Sequence, residues 1–372
     1  MSLEVTDVTA IPVEAGVKSR EDPDGLAPYV NNHGRVESIQ RILVRVDTDS
    51  TTGWGEMLVA MRSPRATKAV IEDVLAPELV GQSVGNVQSF VESFYFPYVK
   101  VDPFVGAVEM AMWDALGKHL GASVSQLLGG AITDSVEVAY CLGILDPEES
   151  REHVQRAVDG GFSTLKTKAS ADWRRDVRRL EAMADEADGA LEFRVDPNQG
   201  WRFEDAVRAA TALEEAGIYL QYLEQPVRID TFGTYEQLRS RIRQPLAVNE
   251  DTYFRRNLHH LLKVDAVDVA VIDLIPAGGI LRAKELAALA SNAGISVSHH
   301  NGFDLGVKQA AVLHTAATTP AINLPPDSVY YAWERDVLAE RLALDDGRMP
   351  VPEGSGLGVE VDEAAVEDLR TD

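Results

Sequence analysis

Two lysines separated by one residue have the clearest chemical potential in this chain of 372 residues. Lys166 and Lys168 lie in the segment Ser163–Lys168, which reads Ser-Thr-Leu-Lys-Thr-Lys and is predicted to form a strand. Because side chains alternate between the two faces of a strand, both lysines point to the same side. Two adjacent ammonium groups repel each other, so they need nearby anions unless one of them loses its proton. A neutral lysine is a general base, whereas two lysines on an exposed edge strand would have no chemical role.

Acidic residues and a pair of histidines follow the apolar runs farther along the chain. Each lies at the end of a predicted strand or soon after it: Asp196, Glu224, Glu250, Asp273, His299, His300 and, past the last strand, Glu334. The carboxyl ends of barrel strands meet at one face, so we expect these side chains to converge on the two lysines. Three converging carboxylates on consecutive strands need a cation, and hard oxygen ligands favour Mg²⁺ or Mn²⁺. For each acid taken singly, capping of the following helix is the competing interpretation.

Alternating strand and helix patterns from residue 136 onward must position these side chains. Strand candidates lie near residues 136, 163, 191, 219, 246, 267, 295 and 322, and each but the last is followed by a helical pattern. This order predicts an α/β fold, a modified (β/α)7β-type TIM barrel over residues 126–335. An open doubly wound sheet is the competing fold, but Gly278-Gly279 lacks the G-x-G-x-x-G context of a phosphate loop.

Residues 1–125 are predicted to form an α+β capping domain. Glu4–Val13 and Ser38–Asp47 alternate like antiparallel strands, and Phe104–Leu120 has helical spacing with Gly121 as its stop.

A lid and a C-terminal segment complete the predicted organisation. Residues 14–36 are rich in Gly, Pro, Asp and Asn, and a loop of this length is more often a binding lid than a solvated linker. Residues 336–372 are rich in turn-forming residues, and we expect them to pack back on the cap.

Composition narrows the classes of partner and compartment. The chain carries 59 acidic and 35 basic residues, a formal net charge of −24, which repels nucleic acid and anionic membrane surfaces. It has no apolar run of about 18 residues that could span a membrane, and its start does not resemble a secretory signal, so we expect a cytoplasmic protein. The acidic residues are evenly spread, as on proteins adapted to a high-salt cytoplasm. Cys141, the single cysteine, excludes an intramolecular disulfide and is predicted to be an inert buried thiol.

In combination, these motifs resemble the enolase superfamily and, within it, the mandelate racemase subgroup. The resemblance is carried by the Lys-x-Lys strand, Asp-x-Asn at 196–198, Glu-Gln-Pro at 224–226, Glu250, Asp273 with His300, and the Gly-Leu-Gly-Val-Glu tail at 356–360. It covers essentially the whole chain. The muconate lactonizing enzymes fit less well, because they carry a lysine where this chain has Asp273. The segment Ile322–Arg335 looks like the C-terminal segment of acid-sugar dehydratases.

The resemblance implies a role for each of these residues. Asp196, Glu224 and Glu250 match three Mg²⁺ ligands, with Asn249 competing with Glu250 for the third place. Lys168 matches the base on one face of the substrate carbon, and His300, paired with Asp273, matches the acid or base on the other, with His299 competing for its place. Lys166 and Glu334 match the residues that contact the substrate carboxylate.

The activity implied is removal of the α-proton of a carboxylate, and we expect the dehydration of a sugar acid to a 2-keto-3-deoxy acid. Racemisation or epimerisation is the alternative, followed by cycloisomerisation and by non-catalytic binding of a sugar acid. The resemblance also implies a homo-oligomer. Further contacts with the substrate are expected from Asn198, Asn249, His299, His33 and Asn32.

Overall fold

The computed structural model describes residues 3–22, 24–94, 96 and 99–371. Within these ranges an antiparallel sheet covered by helices precedes an eight-stranded parallel sheet. No helix within these ranges combines the length and apolarity needed to cross a bilayer.

The first part of the chain is a three-stranded sheet of order β1-β4-β5 with a layer of helices. Its elements are β1 (Val5–Gly16), β2 (Tyr29–Asn31), β3 (Gly34–Val36), β4 (Ser38–Thr48), β5 (Thr52–Leu58), α1 (Pro64–Ala69), a π-helical turn (Val70–Leu75), α2 (Ala76–Leu79), α3 (Val87–Ser93), α4 (Asp102–Leu120) and α5 (Val124–Leu127). Helix α4 lies directly on β5, where a Cβ atom at Gly53 or Gly55 would overlap the helix backbone. It ends at Gly121 in the left-handed conformation, as the sequence predicts.

The barrel prediction is confirmed. After a short strand, β6 (Ser135–Glu137), the parallel strands are β7 (Ala139–Leu142), β8 (Thr164–Lys168), β9 (Glu192–Asp196), β10 (Tyr222–Glu224), β11 (Leu246–Val248), β12 (Val269–Ile272), β13 (Ser296–His299) and β14 (Asp327–Ser328). They pair in sequence from β7 to β13, and β14 pairs with β7. The barrel nearly closes between β13 and β14, where Asn323 N and Leu324 N both donate to the Val297 carbonyl, at 3.1 Å and 3.0 Å.

Helices surround the barrel, and several of them bury one apolar face. They are α6 (Pro147–Asp159), α7 (Trp173–Ala187), α8 (Phe203–Glu215), α9 (Phe232–Arg239), α10 (Arg255–Lys263), α11 (Leu274–Ala277), α12 (Ile280–Asn292) and α13 (Gly306–Ala317). In α7, for example, Val177, Leu180 and Met183 recur at helical spacing and are buried, whereas Glu181 on the other face is exposed.

Three predicted boundaries need correction. The run at 136–142 is two strands, because β6 leaves the barrel and pairs antiparallel with β15 (Arg348–Pro350). The eighth strand is not Ile322–Leu324 but β14, since Pro325 and Pro326 lack the N–H that pairing requires and delay it to Asp327. The segment 14–36 is not one loop, because β1 extends to Gly16 and β2 and β3 form a hairpin.

The C-terminal segment contacts the first sheet. Its helix α14 (Glu363–Leu369) buries Val366, and Thr371 N then donates to the Pro12 carbonyl of β1 at 3.1 Å.

Candidate active site

The two lysines of β8 lie inside the barrel and are buried. Strand β8 is paired on both sides, with β7 and β9, so the edge-strand interpretation is wrong. Lys166 is 3% exposed and Lys168 is 8% exposed. Between them Thr167 faces the helical layer, where its hydroxyl accepts a hydrogen bond from Arg179 Nη1 at 2.7 Å. The strand alternation predicted from sequence therefore places both ammonium groups on one side.

Carboxylates surround the Lys166 ammonium. Its Nζ lies 2.6 Å and 2.7 Å from the two oxygens of Glu224, 2.7 Å from Asp327 Oδ2 and 3.6 Å from Asp196 Oδ2. Burial lowers the pKa of Lys166, but these carboxylates outweigh it and hold the pKa well above its ordinary value. Lys166 is therefore a fixed positive charge. Among the described residues, Lys168 has a single close charged partner, Asp196 Oδ2, at 2.5 Å.

The three predicted metal ligands follow three consecutive strands and carry more negative charge than the lysines balance. Burial, with repulsion from Asp196 and Asp327, raises the pKa of Glu224 to about 8 in spite of Lys166. Burial and Asp196 also raise the pKa of Glu250. Glu250 Oε1 accepts a hydrogen bond from Gln199 at 3.1 Å, but buried Oε2 has no partner among the described residues. A divalent cation would offset the repulsion between the carboxylates and would bind the unpaired oxygen of Glu250. The donor set therefore fits Mg²⁺ or Mn²⁺.

Asn249 already has one hydrogen bond at each end of its amide and fits the role of ligand less well. Its Oδ1 accepts the Tyr253 hydroxyl at 2.8 Å, and its Nδ2 donates to the Val271 carbonyl at 2.9 Å. The unpaired oxygen therefore favours Glu250 over Asn249 as the third ligand.

A different trio of ligand atoms also lies close together. This trio consists of Glu224, His300 and Asp327, whose ligand atoms all lie within 4.8 Å of one another. The ligand atoms of the predicted trio are farther apart than this. However, both oxygens of Asp327 pair with cations, Lys166 at 2.7 Å and Arg194 at 3.0 Å. Neither oxygen of Asp327 is therefore free to bind a metal ion, whereas Glu250 Oε2 has no partner among the described residues. We therefore prefer the trio that includes Glu250.

On the facing side of the barrel, His300 and Asp273 form a hydrogen-bonded pair. His300 Nδ1 lies 2.9 Å from Asp273 Oδ2. Burial raises the pKa of Asp273, but Lys308 and His300 outweigh burial and hold this pKa far below its ordinary value. An ionised Asp273 accepts a hydrogen bond from Nδ1–H of His300. This leaves Nε2 of His300 as the nitrogen able to exchange a proton. Asp273 also caps α11 by accepting from Ile275 N at 3.0 Å, so the capping interpretation is correct in part.

These groups surround one cavity of about 280 Å³. Its charged and basic lining consists of Lys166, Lys168, Glu250, His300 and Asp327. Its uncharged polar lining includes Asn31, Asn198, Asn249 and Asn301, with His33 at the rim. Asp196 and Glu224 do not line the cavity, because the ammonium groups of Lys168 and Lys166 cover them. Cys141 lies in the wall, where burial raises the pKa of its thiol to about 12, as expected for an inert cysteine.

Sequence comparison identifies the family. Residues 14–129 match the mandelate racemase / muconate lactonizing enzyme N-terminal domain, and residues 149–365 match the enolase C-terminal domain-like family. The chain belongs to the enolase superfamily, in its mandelate racemase subgroup. Enzymes of this superfamily stabilise an ene-diolate with Mg²⁺ and use a lysine or histidine base.

Individual relatives have several activities. The chain is 28% identical over 348 residues to N-succinyl-L-Arg/Lys racemase of Bacillus cereus, covering 92% of this chain and 93% of that protein. It is 32% identical over 385 aligned positions to a probable glucarate dehydratase of Streptomyces coelicolor, covering 90% and 86%. An enolase from Thermobispora bispora, crystallised with magnesium and formate, superposes with a TM-score of 0.85 at 26% identity, covering 99% and 92%.

Glu334, expected past the last strand as a contact of the substrate carboxylate, does not line the cavity of this enolase superfamily member. Glu334 is exposed, lies beside Gly16 of β1 and does not line the cavity, so the expected contact with a substrate carboxylate is not available to it. Asp327, the first residue of β14, lines the cavity and pairs with Lys166. Asp327 begins its strand, whereas Asp196 and Glu224 end theirs, so the rule that acids stand at the carboxyl ends of strands did not single it out.

Two expected substrate contacts also need correction. His299 points away from the cavity, is fully buried and has no hydrogen-bond partner on either ring nitrogen within the described part of the chain. Strand alternation explains this, because neighbouring residues of β13 face opposite sides. The Asn32 amide donates to the carbonyls of Ala169 and Pro197, at 2.8 Å and 2.6 Å, and so fastens the β2–β3 hairpin over the barrel. Asn198 lines the cavity and donates to Asp196 at 3.1 Å.

Replacing Asp327 and replacing Glu334 should change the free energy of unfolding by different amounts. Asp327→Asn leaves Lys166 and Arg194 short of a buried negative charge and is expected to lower the free energy of unfolding by about 3–5 kcal/mol. Glu334→Gln alters an exposed side chain and should leave it unchanged. Urea denaturation of both variants measures this, and equal stability of the two would contradict the pairing of Asp327 described above.

The raised pKa of Glu224 predicts how stability depends on pH without metal. Between the ordinary value of 4.5 and about 8, the folded chain binds more protons at Glu224 than the unfolded chain does. Stability should therefore fall as pH rises through this window. With a chelator present, the melting temperatures of wild type and Glu224→Gln should converge near pH 4 and separate towards pH 8, with the variant higher. Glu236→Gln, on the exposed face of α9, is the matched control and should follow the wild type throughout. Parallel curves for Glu224→Gln and the wild type would contradict the prediction.

Proposed function

We propose that this protein dehydrates a sugar acid to a 2-keto-3-deoxy acid. The observation that supports this most directly is that Lys168 and His300, which is paired with Asp273, line the same small cavity. At about 280 Å³ the cavity suits a small substrate, and its asparagine side chains can hydrogen-bond several hydroxyl groups. The similarity to a probable glucarate dehydratase supports the same class of substrate.

The reaction divides between the two sides of the cavity. Lys168, as the neutral amine, takes the α-proton from one face of the carbon. Asp196, Glu224 and Glu250 would hold the Mg²⁺ or Mn²⁺ ion, which acts as a Lewis acid on the substrate carboxylate. Lys166, kept charged by Asp327 and Glu224, stabilises the negative charge that develops on that carboxylate.

His300 completes the reaction from the other face. As a general acid it donates its Nε2 proton to the β-hydroxyl, which leaves as water while the carbon–carbon double bond forms. The resulting enol becomes the 2-keto acid by losing its O–H proton and taking up a proton at the β-carbon. Asp273 keeps the Nδ1 proton in place during this transfer.

Racemisation or epimerisation is the second candidate, favoured by the similarity to a racemase. The same arrangement would serve it if His300 returned a proton to the α-carbon on the face opposite Lys168. Relatives named as L-Ala-D/L-Glu epimerase support epimerisation, and a relative named as D-galactarolactone cycloisomerase supports cycloisomerisation as a further activity of the same class.

A library of sugar acids, incubated with the protein and Mg²⁺ in deuterated water, tests the proposal. Dehydration predicts a 2-keto acid from at least one member of the library. Deuterium at the α-carbon with inversion and no keto acid would establish the epimerase instead. Binding without any exchange would identify a non-catalytic protein and overturn the proposed function.

A further inference from the structure

A buried lysine lies behind the His300–Asp273 pair and has no part in the reaction described above. Asp273 uses Oδ2 for His300 Nδ1 at 2.9 Å, and its Oδ1 lies 2.9 Å from Lys308 Nζ. Lys308 belongs to α13 and is 2% exposed. Its ammonium group does not line the cavity, so it cannot contact a substrate. Asp273 therefore contacts the imidazole of His300 with one oxygen and the ammonium group of Lys308 with the other, an arrangement called the clamp below.

The clamp controls which hydrogen bond the histidine makes. An ionised carboxylate only accepts hydrogen bonds, so Nδ1 must donate and Nε2 remains available to the cavity. Without a cation at Oδ1, the buried carboxylate would favour its protonated form, as burial alone raises the pKa of Asp273. A protonated Asp273 could donate to Nδ1 instead, which would move the imidazole proton to Nε2 and reverse the roles of the two nitrogens.

The position of Lys308 is itself determined by the first sheet. Its Nζ pairs with Asp304, one helical turn earlier, at 2.8 Å. Glu56 of β5 accepts the backbone N–H groups of Leu305 and Lys308, at 2.7 Å and 2.9 Å, with its two oxygens. Arg41 of β4 donates to the carbonyls of Gly302 and Phe303 in the loop that follows His300. Strands β4 and β5 therefore fix the positions of the start of α13 and of the loop that follows His300.

We propose that Lys308 is a positioning residue that fixes the orientation and tautomer of His300 by holding the far oxygen of Asp273. Its kinetic consequence rests on the proposed function, because it concerns the proton that His300 transfers. Its structural consequence, the orientation and tautomer of His300, can be tested without any enzymatic activity. The competing account is that Lys308 only neutralises Asp273 and Asp304 and stabilises the fold.

Substrate-independent proton NMR tests the structural consequence. The Nδ1–H proton of His300 should give a downfield signal in the wild type that is absent from His300→Gln. We expect Lys308→Met to lose or shift this signal and Lys308→Arg to restore it. Lys284→Met is the matched control, since Lys284 is a half-buried lysine of α12 that bonds Thr318 at 2.7 Å, remote from the pair. An unchanged signal in folded Lys308→Met would overturn the proposal.

Kinetics on an active substrate tests the functional consequence. In Lys308→Met, exchange of the α-proton facing Lys168 should stay within about threefold of wild type, whereas kcat for steps that need His300 should fall about 10- to 100-fold at similar KM. Partial recovery of kcat in Lys308→Arg is expected. An equal loss of both reactions, or of neither, would assign Lys308 a stabilising role only. If no acid is turned over by the wild type, the proposed function fails and the NMR result alone decides the role of Lys308.

Discussion

Lys168→Ala is expected to lose exchange of the substrate α-proton by about 10²- to 10⁴-fold, the usual contribution of a general base. The physical reason is that Lys168 is the cavity-lining amine with one close partner, Asp196, whereas Lys166 is held as a cation by several carboxylates. Exchange is measured by NMR in deuterated water with the substrate found in the library. Removal of the α-proton comes before the loss of water in a dehydratase and before reprotonation in an epimerase. The same result is therefore expected for both.

Two further variants separate basicity from charge. Lys168→Arg keeps a positive charge beside Asp196 but cannot act as a base near neutral pH, so it should be as inactive as Lys168→Ala. Lys263→Ala removes an exposed lysine at the end of α10 and should leave exchange unchanged. Exchange in Lys168→Arg within tenfold of wild type would show that another group removes the proton.

Removal of the metal should lower turnover by about a thousandfold or more, since Lewis-acid stabilisation of a developing oxyanion is worth several kcal/mol. Chelation followed by dialysis tests this, and added Mg²⁺ or Mn²⁺ should restore activity. Full activity after chelation would contradict a metal-dependent mechanism.

Binding of Mn²⁺ alone distinguishes the two possible trios of ligands. Glu250→Gln replaces the carboxylate that carries the unpaired buried oxygen and should weaken Mn²⁺ binding by at least about tenfold. Glu236→Gln, exposed on α9, is the control and should bind as the wild type does. His300→Gln should also bind normally. The opposite pattern, weak binding in His300→Gln and normal binding in Glu250→Gln, would move the ion to Glu224, His300 and Asp327.

Residues at the ends of well-patterned strands could be placed from sequence. Lys166, Lys168 and Asp196 lie inside the barrel because their strands alternate and are preceded by buried apolar residues. His300 was paired with Asp273 on the resemblance to the superfamily, and the 2.9 Å contact agrees with it. The alternation carries this information because a register error of one residue would turn the side chains of the barrel interior towards the helical layer.

The sequence by itself therefore determined the barrel, its order of strands and the group of lysines, acids and histidine at one end. Only the tertiary structure decided which of several adjacent candidates enters the cavity. Asp327 lines the cavity and Glu334 does not, and His299 points away from it because successive residues of an extended chain face opposite sides. Lys308 could not be found from local pattern, since its contact with Asp273 joins residues of different elements. Such contacts depend on distances that arise only when helices, strands and cap are packed together.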